Sequence, residues 1–145
     1  MDQITMLGTG HAMTFDCFNT CFVIDDPEGE ATLVDTGGGL QVLRQLRDAG
    51  VQLDRIHDVF ISHQHTDHLL GLFWILRAMG RRVTDPAYGR PLTIYMHKEL
   101  EAIARTAVTA IMPPNQRKAL DDRILFRVVE ENEKGSLGGH PVTYY

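Results

Sequence analysis

Four residues with metal-binding side chains fall inside the run Ser62-His63-Gln64-His65-Thr66-Asp67-His68. Apolar residues enclose it, Val59-Phe60-Ile61 before and Leu69, Leu70, Leu72, Phe73, Trp74, Ile75 and Leu76 after. That pattern predicts a buried strand, a short ligand-bearing loop and a buried helix over 69–79, ended by Gly80. A fold containing it must bring a strand end and a helix start together at one sheet edge. Trp74 is expected inside the core. Where a strand ends, His63 and His65 stand two apart and can point to one side. Asp67 and His68 fall at the turn into the helix and can face a second point. Imidazoles with a hard carboxylate suit zinc, manganese or iron(II). Two such ions about 3.5–4 Å apart would lower the pKa of a shared water towards neutrality. An aspartate before an apolar helix is often only its cap, and a lone loop histidine is usually solvated. The spacing in a strand–loop–helix context points instead to metal binding by all four residues.

The remaining patterns predict one α+β domain over 1–145. Strands are expected at 4–7, 20–24 and 31–34, the last two forming a hairpin through the Asp25–Gly29 turn. A helix over 40–49 follows the three glycines 37–39. Further along, the spacing predicts a strand at 92–96, a helix over 99–110, a shorter helical piece from Pro114 and a strand at 124–129. A turn over 134–139 leads into a last strand at 142–145. The elements start as a strand meander and then alternate with helices, which implies a mixed sheet with helices on one face. His11 and His57 are read as loop residues, and His97 as a surface residue opening a helix.

Composition narrows the function classes. A formal net charge of −5 disfavours a protein that grips nucleic acid through a generally basic surface. Arg77, Arg81, Arg82 and Arg90 gather near one polar loop and could meet phosphates, although cations at a helix end have a simpler explanation in the helix dipole. Cys17 and Cys21 lack a second pair and are expected as reduced thiols. The glycine turns at 8–10 and 37–39 lack the spacing of a nucleotide-phosphate loop. No apolar stretch reaches membrane length and the first residues lack a secretory pattern, so the expected setting is the cytoplasm, without membrane partners.

The His63-Gln-His65-Thr-Asp67-His68 run resembles the signature of the metallo-β-lactamase fold superfamily of metal-dependent hydrolases. Leu7-Gly8-Thr9-Gly10 followed by Asn19-Thr20 is similar to the opening strand and turn of its ribonuclease Z-like and arylsulfatase-like branch. Leu33-Val34-Asp35-Thr36-Gly37 resembles the strand end before its first helix. The resemblance implies an αβ/βα sandwich of which this chain supplies mainly the N-terminal half. It further implies that His63 and His65 bind one metal, and that Asp67 and His68 bind the second. Asp67 would also orient the attacking water, and Asp35 would hold a ligand imidazole from behind.

The resemblance covers about two-thirds of the chain and leaves the centre short of ligands. A catalytic zinc takes three protein ligands and an open position. Two donors per metal are visible, and His140 in Gly138-Gly139-His140-Pro141 is the one downstream candidate for a third. The expectation is therefore a domain incomplete at its C-terminal side, completed by a missing half or by a second copy in a homo-oligomer. The expected activity is attack of metal-bound hydroxide on an ester or phosphodiester, in a small molecule or in RNA, with ribonuclease Z-like transfer RNA 3′ processing as the most specific form. The alternative is a non-catalytic metal-binding or interaction module descended from such a hydrolase.

Overall fold

A computed structural model describes residues 3–25 and 29–145. The centre of the expected turn, residues 26–28, lies outside them. The chain runs β1 (Gln3–Gly8), β2 (Cys21–Asp25), β3 (Ala31–Val34), α1 (Gln41–Asp48), β4 (Ile56–Phe60), α2 (Thr66–Met79), β5 (Leu92–Met96), α3 (Lys98–Ile111), α4 (Pro114–Arg117), β6 (Ile124–Val128), β7 (Lys134–Leu137) and β8 (His140–Thr143). The first six strands form one sheet in sequential order. β1, β2 and β3 pair antiparallel, and β3, β4, β5 and β6 pair parallel. Antiparallel neighbours need only a short connection, whereas each parallel pair needs a crossover, supplied here by α1, by α2 and by α3 with α4. Crossovers of constant hand lay these helices on one sheet face. Leu33, Val59 and Ile94 point to that face and are fully buried beneath Leu46, Leu72, Ile75 and Leu100. The expected mixed sheet is present, with its parallel strand ends gathered at the edge that carries the histidine run.

Helix α2 corrects one expectation. Leu69, Leu72, Ile75, Leu76 and Met79 are buried, an ordinary amphipathic stripe, while Trp74 is 44% and Leu70 38% exposed. A helix apolar nearly all round is therefore not buried all round. Trp74→Ala should cost about 1–2 kcal/mol, the area term of a half-covered ring, rather than about 3–5 for a core tryptophan. Thermal unfolding checks this, and a larger loss would place the ring in the core.

The opposite face carries β7 and β8, a hairpin turning at Gly138-Gly139. The expected turn over 134–139 is thus mostly strand. Gly138 N–H donates to Asp58 Oδ2 at 2.9 Å, and Tyr144 stacks on Phe60 at 5.8 Å between centroids. Beyond the hairpin this face is open, with Ile4 63% and Met6 50% exposed. His57 is a second correction: it lies buried within β4, stacked on Tyr88 at 4.3 Å. Burial, and then the nearby Arg90 guanidinium, pulls it below the usual imidazole range. Cys17 is exposed, Cys21 is buried, and both are free. Among the described residues no helix is long and apolar enough to cross a membrane.

Candidate metal centre

The centre is assembled where β3 and β4 end side by side. β3 stops at Val34, and Asp35 follows with φ of 55°. That left-handed conformation is uncommon for a residue with a side chain, and aspartate is among the few that adopt it readily. Asp35 N–H donates to Phe60 O at 2.8 Å, which extends the β3–β4 pairing by one step. Its carboxylate then reaches across to the histidine loop. Oδ1 accepts from Ser62 N–H at 2.8 Å, and Oδ2 accepts from Ser62 Oγ–H at 2.7 Å and from His68 Nδ1 at 2.8 Å. Asp35 thus stands behind the His68 imidazole, a contact that puts the ring proton on Nδ1 and the lone pair on Nε2.

Thr36 and Gly37 fasten the start of α2. Thr36 N–H and Oγ1–H both donate to His68 O, at 2.9 and 2.7 Å. Gly71 N–H donates to Gly37 O at 2.9 Å, and the glycine allows this approach because a Cβ there would land on the Thr36 carbonyl oxygen. On the other side, Asn19 Oδ1 accepts from Gly38 N–H at 3.0 Å. This ties the loop after β1 to the glycine turn.

The four candidate donors of the histidine run come together as two pairs. His63 Nε2 lies 3.1 Å from His65 Nδ1, and His68 Nε2 lies 3.3 Å from Asp67 Oδ2. The His63 and His68 rings lie 4.0 Å apart between centroids, so the pairs adjoin. Among the described residues no three His, Cys, Asp or Glu side chains already close around one point. The donor set nevertheless fits zinc. Ligand atoms at tetrahedral angles and zinc bond lengths of about 2.0–2.1 Å stand about 3.3 Å apart, close to both separations. Burial, and then the neighbouring His68 and His65 rings, holds His63 below its ordinary value, which favours the neutral, metal-binding form.

Asp67 sits buried in the first turn of α2, whose N-cap position is taken by His65. It borders a groove of about 680 Å³ lined also by Phe15, Phe18, Asn19, Arg44 and Thr66. This groove lies on the loop and helix side of the centre.

The structure does not bring His140 into this cluster. The Gly138-Gly139 turn before it is docked on Asp58 and Thr32, each two residues short of its strand's end. His140 opens β8 opposite Leu137 and is held beside the middle of the sheet. His97 is the N-cap of α3, accepting from Leu100 N–H at 3.4 Å, as its position before the helix predicts. His11 lies exposed in the loop after β1, its carbonyl accepting from Asn19 Nδ2 at 3.3 Å. The arginine cluster is largely spent on the protein itself. Arg90 grips Asp58 at 2.8 and 3.1 Å and Glu30 at 2.8 Å, Arg82 pairs with Asp54 at 2.8 Å, and Arg77 donates to Gln116 at 3.2 Å. Ser62 and Thr36 were not singled out from sequence. A serine before a histidine and a threonine after an aspartate carry no spacing rule of their own.

Sheet order and centre define a metallo-β-lactamase-fold protein of the ribonuclease Z-like kind. YhfI from Bacillus subtilis, a metallo-β-lactamase fold protein, matches with a TM-score of 0.68 and 17% identity over 98% of this chain and 51% of its own. The human tRNase Z short form matches with a TM-score of 0.65 and 28% identity, over 90% and 45%. The Ribonuclease Z of Clostridium tetani is 31% identical over 137 residues, 91% of this chain and 42% of that protein. The chain belongs to the family described as Anti-Pycsar protein Apyc1, whose profile matches residues 2–144. This places it in a metal-dependent hydrolase family. It spans from 28% to 47% of the length of the curated relatives it matches.

Proposed function

We propose that this chain carries the metal-binding part of a phosphodiesterase, with His63 and His65 holding one divalent ion and Asp67 and His68 the other. The observation that supports it is the pairing of the four donor groups at zinc-like separations, with Asp35 behind them. Zinc is the first candidate, and manganese or iron(II) suits the same donors. When bound, two such ions supply Lewis acidity to the scissile group and activation of water near neutral pH. The residues do the rest. Asp35 keeps the His68 ring turned and its outer nitrogen unprotonated. Asp67, at the mouth of the groove, orients the attacking water through its carboxylate. The groove admits the substrate beside Phe15 and Arg44.

Two donors per ion leave each short of the three protein ligands a catalytic zinc takes. The remaining ligands come from outside the cluster described here, from a further segment or from a second copy meeting the open sheet face around Ile4 and Met6. Processing of transfer RNA is the finer form that the ribonuclease Z relatives suggest. The engagement of Arg77, Arg82 and Arg90 within the fold favours a smaller phosphodiester.

Plasma mass spectrometry of the purified protein, taken with its oligomer mass, tests this. The expected result is near two metals per chain in an assembled form, and fewer in a monomer. Hydrolysis of bis(p-nitrophenyl) phosphate should follow the metal content and vanish on chelation, with a precursor transfer RNA as a parallel substrate. An assembled form that holds no metal, or hydrolysis that survives chelation, would overturn the proposal.

A further inference from the structure

The structure assigns Ser62 as a positioning residue that links the Asp35 carboxylate to His63, so that one carboxylate orients an imidazole in each donor pair. The inference rests on the metal-centre reading above. Ser62 Oγ lies 2.7 and 3.0 Å from the two Asp35 oxygens and 2.9 Å from His63 Nδ1. A hydroxyl has one proton to give, and a carboxylate can only accept. The Ser62 proton therefore goes to Asp35, and the Oγ lone pair is left facing His63 Nδ1. That nitrogen must carry a proton to complete the contact. The lone pair of His63 then sits on Nε2, the atom 3.1 Å from His65 Nδ1 and turned into the first donor pair.

His68 reaches the same result by a shorter route, its Nδ1 lying 2.8 Å from Asp35 Oδ2. One carboxylate thus sets both tautomers, directly in the second pair and through a hydroxyl in the first. The Ser62 backbone is anchored separately, its N–H donating to Asp35 Oδ1 at 2.8 Å. Removing the hydroxyl leaves that anchor and the His68 contact in place. Ser62→Ala should accordingly disturb the first pair alone, and Asp35→Asn should disturb both.

The test uses the metal-free, ¹⁵N-labelled protein at about pH 8, above the ordinary imidazole range. Two-bond ¹H–¹⁵N spectra report which ring nitrogen of each histidine is protonated. Wild type is expected to show His63 and His68 both protonated on Nδ1. In S62A the His63 ring should move towards the Nε2-protonated form while His68 stays unchanged, and S62T, which keeps a hydroxyl, should restore the wild-type pattern. Zinc competition should show one binding event weakened about 10–100-fold in S62A and recovered in S62T. His63 protonated on Nε2 in wild type, or an unchanged His63 signal in S62A, overturns the assignment. Should S62A fail to fold, the wild-type spectrum and S62T still decide it. The expected tautomers in a protein that binds no zinc would leave the Ser62 role standing and bring down the metal-centre reading instead.

Discussion

Asp67→Ala is expected to lower hydrolysis by the metal-loaded, assembled protein about 10²–10⁴-fold while leaving it folded. On the proposed reading, two functions end with this carboxylate. It is one donor of the second pair, 3.3 Å from His68 Nε2, and it is the group that faces the groove. Its contribution to folding is small, because α2 takes His65 and not Asp67 as its N-cap and the Asp67 carboxylate pairs with His68, its neighbour in the same helical turn. Loss of an acidic residue from the first turn removes a favourable dipole contact of about 0.3–1 kcal/mol. Melting temperature should therefore move little as activity collapses, and metal content should fall with it. His65→Ala, on an exposed residue of the other pair, should do the same to the first metal. Either variant keeping activity within a few-fold of wild type would show that the donors are misassigned.

The second large effect is on stability. Gly71→Ala should cost about 3 kcal/mol or more, at the upper end of overpacking changes, and lower the melting temperature by about 6–12 °C. A Cβ at this position meets the backbone oxygen and carbonyl carbon of Thr36, which cannot rotate away as a side chain could. Helix α2 would have to lift from the loop that follows β3. Lifting breaks the Gly71 N–H to Gly37 O bond and strains the two bonds from Thr36 to His68 O. The histidine loop should loosen in the same step, so that on the proposed reading zinc affinity falls together with stability. Leu70→Ala, next to it on the exposed side of the helix, serves as the control and should be mild. A G71A protein that melts like wild type would mean that α2 is not seated on Thr36.

Most of the element order was legible in the sequence because it depends on neighbours in the chain. Alternation and short apolar runs located β2, β3, β5 and β6, and the glycine after each apolar helical stretch marked where α1 and α2 stop. The candidate donors of the proposed centre could be picked out for the same reason, since His63, His65, Asp67 and His68 lie within one loop and one helical turn. Besides the 134–139 segment, which pairs mostly as strand instead of turning, the sequence misled where one residue type serves two environments. Trp74 belongs to an apolar helix, yet it falls off the buried stripe of Leu69, Leu72, Ile75 and Met79. His57 is polar, yet it stacks within the core on Tyr88.

By itself the sequence determined which four candidate donors stand at the proposed centre, in which spacing, between a strand and a helix. The tertiary structure decided how those donors are held and which other candidates join them. Asp35 reaches Ser62 across 27 positions and His68 across 33 because β3 and β4 pair in parallel with their ends level. Gly138 meets Asp58 across 80 positions, and that contact draws His140 to the middle of the sheet. Arg90 is engaged by Asp58 and Glu30, from β4 and the position just before β3. Spacing along the chain encodes local geometry, whereas these contacts depend on strand register. Register is set by the whole sheet at once, through which side chains must be buried and which polar groups must find partners.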